Sequence, residues 1–138
     1  MATDQKDRVY EVKAYRQYLM DKLRVETSSV ETFEPEKNED AYIRKLEDKI
    51  ERLKSMIDEM DEKSKELAFD MRDGFDKERN TLLKKYSAAK SILNDIQKFT
   101  GDAYKELNAG AVKAYQDLAN SVENAISNIT QALLFQKQ

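Results

Sequence analysis

Ile43, Leu46, Ile50, Leu53, Ile57, Met60, Ser64, Leu67 and Met71 recur at alternating steps of three and four residues, the spacing that lines side chains along one stripe of an α-helix. A helix built this way is not stable alone in water. Burying an aliphatic side chain contributes about 1.5 to 3 kcal/mol, while ordering each residue's backbone costs about 1 to 2 kcal/mol. The stripe therefore demands other helices. Ile43, Ile50 and Ile57 at one core position, with Leu46, Leu53, Met60 and Leu67 at the other, is the pattern of a two-stranded parallel coil. The cover is expected to be a second copy, giving a dimer or higher homo-oligomer, with the chain's own first helix folded back or a helix of another protein as the alternatives.

Composition narrows the fold and the chemistry together. One proline and three glycines in 138 residues leave few obligatory turns, and 37% charged residues leave little for a globular core, as does a mean hydropathy of -0.83. A β-rich fold is excluded on these grounds and long helices are favoured. With no cysteine and no histidine, the chain has no disulfide framework and lacks the commonest metal ligand and general base. No enzymatic activity, no cofactor and no metal are expected. A net charge of -3 argues against nucleic acid, whose phosphates need a basic surface. Charges crowd the first eight residues, and the longest uncharged stretch, 124–136, is too short to cross about 30 Å of hydrocarbon. The expected location is the cytoplasm.

Four segments follow from periodicity. Residues 1–26 read as a short N-terminal amphipathic helix, with Val9, Val12, Tyr15, Leu19 and Leu23 on a narrow stripe. Residues 27–39 lose the pattern, carry the single proline and are acidic, which makes a linker. Residues 40–99 form one long heptad helix, whose stripe shifts phase beyond Met71 and resumes at Phe75, Leu82, Tyr86, Ala89, Leu93 and Ile96. Gly74 beside the shift is the position for a possible break, although a helical glycine costs only about 1 kcal/mol and continuity is preferred. Lys98, Gly101 and Asp102 mark a firmer stop and restart.

Residues 100–138 form a turn and a low-charge C-terminal helix. Its packing face carries Tyr104, Leu107, Ala111, Ala114, Leu118, Val122 and Ile129, and Gly110 with Ala114 would let another backbone approach closely. The expected architecture is all-α. It is an elongated helical hairpin or coiled-coil bundle, in which one long central helix receives a shorter C-terminal helix folded back and a short N-terminal helix.

Two stretches carry a family resemblance: Ala41-Tyr42-Ile43-Arg44-Lys45-Leu46-Glu47, and Gly101-Asp102-Ala103-Tyr104 running on through Leu107, Gly110, Ala114-Tyr115 and Leu118. Over about residues 41–130 the chain resembles small bacterial coiled-coil proteins described as stress-response proteins. In these an A-Y-x-x-K-L-E opening leads through a charged helix to a G-D-A-W ending. Tyr104 and Tyr115 stand where tryptophan is usual, and the first forty residues have no counterpart. The resemblance implies a soluble helical protein without catalytic residues, associated with stress.

Other readings of single motifs are weaker. Setting Gly74 at the sixth position of a calcium loop puts Phe69, Met71 and Asn80 where carboxylates or amides belong. Glu59, Glu62 and Glu66 could form a carboxylate site, but di-iron bundles pair such glutamates with histidine. The function expected is that of a non-enzymatic, self-associating structural or scaffolding protein. The alternatives are a phasin-like or amphipathic coat on a membrane or granule surface, and an adaptor that accepts a helix from another protein.

Overall fold

The computed structural model describes residues 2–28, 39–99 and 101–135, with side chains at 7–27, 43–99 and 103–135. Every element is a helix: α1 Ala2–Ser28, α2 Glu39–Ser64, α3 Phe69–Ile96 and α4 Gly101–Phe135. The heptads thus form helices where expected, but they are divided differently. The single long central helix is instead two, α2 and α3, separated by residues 65–68, and Gly74 lies inside α3. Apart from Thr27, Ser28 and Glu39, the expected linker lies outside the described residues.

The turn between α2 and α3 contains no glycine or proline. Its backbone tightens through Lys65 N–H to Glu62 C=O (3.2 Å), Glu66 N–H to Lys63 C=O (3.0 Å) and Leu67 N–H to Ser64 C=O (2.9 Å), the i to i−3 pattern of a closing helix end. Ala68 is then extended, and its carbonyl accepts the first α3 bond from Arg72 N–H. Leu67 is buried and plugs the turn. A continuous helix over 40–99 would run about 90 Å and leave much of its stripe bare. Folding at 65–68 turns the α3 stripe back toward α2 and α4.

Polar contacts between helices establish their directions. Asp61 of α2 meets Arg79 of α3, and Glu47 of α2 meets Lys90, so the two run antiparallel. Lys85 and Glu78 of α3 meet Ser121 and Asn128 of α4, again antiparallel. Glu26 near the end of α1 meets Lys49 early in α2, while Lys22 meets Glu59 further along. The result is an up-down-up-down bundle. α4 and α2 touch each other across the diagonal and also touch both flanking helices, whereas α1 and α3 share no contact. The buried alanines Ala111, Ala119 and Ala125 keep α4 slim enough for that central place.

Helix lengths correct the expected hairpin. α1, α2 and α3 have 27, 26 and 28 residues, about 40 Å each, and α4 with 35 residues is the longest rather than the shorter partner. Among the described residues no helix is long and apolar enough to cross a membrane.

Candidate functional site

The seam reaches its partners inside the chain. Ile43, Leu46, Ile50, Leu53, Ile57, Met60, Ser64 and Leu67 are all buried, and Met71, on α3 rather than α2, is half-buried against the same core. The second predicted face divides similarly: Tyr104, Ala111, Leu118, Val122 and Ile129 are buried, whereas Leu107 and Ala114 are half-buried at its edges. Gly110 is not a close-approach position, because a Cβ placed there meets nothing within 4 Å.

A two-column seam understates α2. Lys49 and Met56 are also buried, and at a spacing of seven residues they form a third column that an a/d pattern ignores. The extra column exists because α2 faces three helices, not one. The methionine was available as an apolar signal. The lysine gave no signal of burial.

Lys49 instead serves a polar node where α1 ends. The C-terminal carbonyls of any helix lack intrahelical donors, and the Glu26 carbonyl in the last turn of α1 accepts two from elsewhere. Lys49 Nζ of α2 donates at 2.7 Å and the Tyr115 hydroxyl of α4 donates at 3.1 Å. The positive ammonium also suits the negative end of the α1 dipole. The Glu26 carboxylate stays nearby, 3.9 Å from Lys49 Nζ and 3.3 Å from Arg52. Burial outweighs this pairing and holds the Lys49 pKa below the ordinary lysine value, while the Glu26 charge pulls the other way. Burial likewise raises the Tyr115 hydroxyl well above the usual tyrosine range.

A second polar set ties α2 to α3. Tyr86 donates to Glu51 Oε1 at 2.6 Å, and Lys90 reaches Glu51 at 3.0 Å and Glu47 at 3.3 Å. The Tyr86 hydrogen bond, then that from Lys90, holds the Glu51 carboxyl below its ordinary pKa. At the turn end Arg79 binds Asp61 at 2.7 Å. These contacts align helices. None positions a nucleophile against a base.

Three hollows indent the surface. The first, about 390 Å³ between α1 and α2, is lined by Tyr15, Tyr18, Glu59, Glu62, Lys63 and Glu66. It brings together the three glutamates considered for a metal. The chain's own cations already cover its rings, Lys63 Nζ lying 5.3 Å from the Tyr15 ring centre and Lys22 Nζ 5.5 Å from that of Tyr18. Among the described residues no three carboxylates are grouped to hold a metal ion. The second, about 300 Å³ between α3 and α4, passes Gly74, Phe75 and Ile129. The supposed calcium loop around Gly74 is helical, which withdraws the open backbone such a loop requires.

The third, the largest of these three, is a groove of about 680 Å³ between α1 and α4. Leu23 and Ala119 are buried and Met20 half-buried beneath it, and Lys13, Arg16 and Arg24 stand along the α1 side. Apart from Leu23, which belongs to the α1 stripe, these residues carry no periodic signal in the sequence, because α1 has apolar side chains on two sides. Val12, Leu19 and Leu23 point inward, while Tyr10, Tyr18 and Val25 are exposed on the opposite side.

No protein-family model, curated protein or solved structure matches this chain.

Proposed function

We propose that the chain is a non-catalytic structural or scaffolding module that self-associates through the outer face of α1 rather than through its heptad seam. One observation carries this reading. Tyr10 is 75% exposed, Tyr18 49% and Val25 68%, and with Ala14 they occupy a sector of about 80° on α1, nearly opposite the inward Val12, Leu19 and Leu23. Aromatic and branched side chains aligned on a solvent face are characteristic of contact surfaces. The seam, already covered by α1, α3 and α4, has no need of a second copy. The alternative of a surface coat requires α4 to leave the bundle. α4 contributes Leu118, Val122, Ala125 and Ile126 fully buried, so its release would expose the core.

Light scattering over a wide concentration range tests the proposal. The mass should rise above the 16.1 kDa of one chain, and the Tyr10→Ser/Val25→Ser double variant should shift that rise to higher concentration with unfolding temperature unchanged. A wild-type mass of one chain at every concentration would refute it.

A further inference from the structure

We infer that the groove between α1 and α4 is a docking site for an acidic amphipathic helix of another protein. The groove follows α1 from Lys13 to Thr27, which at 1.5 Å per residue is about 21 Å, or four helical turns. Its volume of about 680 Å³ over that length accommodates one face of a helix rather than a whole one. The floor is apolar, made by Met20, Leu23 and Ala119, and suits anchors at three- and four-residue spacing.

Charge selects the partner. Lys13 and Arg16 stand about one turn apart along this edge, and Arg24 follows about two turns further on. No ion pair forms at Lys13 or Arg16 among the described residues, and Arg24 meets only Asp21 of its own helix, at 3.6 Å with both side chains largely exposed. Elsewhere Lys22, Lys49, Arg52, Arg79, Lys85 and Lys90 each reach an acid on a different helix. Among the described residues Glu123 is the single carboxylate lining the groove, in a chain of net charge -3. A ligand offering several carboxylates along its length beside an apolar stripe would match both features. A lone anion would leave the floor uncovered, and nucleic acid would meet a net-acidic surface.

The test uses the full chain and a fluorescein-labelled synthetic helix of about 18 residues, with leucines at three- and four-residue spacing and glutamates elsewhere. Anisotropy should rise on titration at about 50 mM salt and weaken at about 200 mM. Lys13→Glu/Arg16→Glu should reduce affinity by about tenfold or more, with circular dichroism and unfolding temperature as in the wild type, because both residues are exposed. Equal binding by wild type and variant would overturn the inference. So would equal binding of a peptide in which lysines replace the glutamates, or of one in which serines replace the leucines. Binding to phosphatidylserine vesicles that the variant loses, without peptide binding, would assign the groove to a membrane surface instead. The outcome is independent of self-association, since Lys13 and Arg16 lie off the Tyr10–Val25 face.

Discussion

The Glu26 carbonyl has two donors, and the two differ in what their loss would do. Tyr115→Phe removes one neutral hydrogen bond but keeps the ring in the core, and should cost about 1 kcal/mol. Lys49→Ala removes the charged donor, takes a buried positive charge away from the Glu26 carboxylate and opens a gap, and should cost about 3 kcal/mol. Thermal unfolding of the two variants checks the order, and a reversed order would deny Lys49 its role in holding α1. pH acts on the same groups. Tyr15 and Tyr115 are raised by burial and Tyr86 chiefly by its bond to Glu51. In the unfolded chain they ionise near pH 10, so the unfolded state loses protons first and stability falls as pH climbs past about 10. Hydrogen bonds outweigh burial to raise Lys22 and Lys90, which act in the same direction, while the lowered Lys49 opposes them. An absorbance titration should show Tyr15, Tyr86 and Tyr115 ionising late. Glu51 works at the other end, because its lowered pKa gives a contribution present above about pH 4.5 that disappears as pH falls through the folded value.

Helix α2 is held from three sides, and its faces should respond unequally. Ile50→Asp places a charge at a fully buried site and should cost several kcal/mol, enough to unfold the domain. Glu62→Ala, whose side chain is largely exposed and pairs only with Lys65, should stay within about 0.5 kcal/mol. Equal shifts in unfolding temperature would contradict the burial described. Gly74 in α3 and Gly110 in α4 offer the opposite sign. A Cβ at Gly74 or Gly110 meets nothing within 4 Å, so Gly74→Ala and Gly110→Ala should each stabilise by about 0.5 to 1 kcal/mol. The α2–α3 turn explains why glycine misled. Sequence reasoning places breaks at residues with unusual backbone freedom, whereas here ordinary residues turn because Leu67 gains a buried site. The phase shift of the stripe just beyond it was the true signal, since two helices need not share one register.

Across the bundle, α1 stands apart. Among the described residues it touches α2 and α4 but not α3, and it contributes only Val12, Leu19 and Leu23 as buried apolar side chains. Amide hydrogen exchange on the full chain should therefore show α1 opening with the lowest free energy and the centres of α2 and α4 with the highest. Protection of α1 equal to that of α2 would mean that the Glu26 node and its three apolar residues suffice to lock it. The helical class, the eight inward positions from Ile43 to Leu67 and the start of a separate C-terminal helix near residue 101 were legible in the chain, because periodicity and charge depend only on near neighbours. Who covers the seam was not legible, nor were the burial of Lys49 and the groove beside Lys13. Those depend on which stripes meet after the chain reverses at 65–68, and a stripe that needs burial is satisfied equally by a sister chain or by its own distant helices until that reversal brings the helices of one chain together.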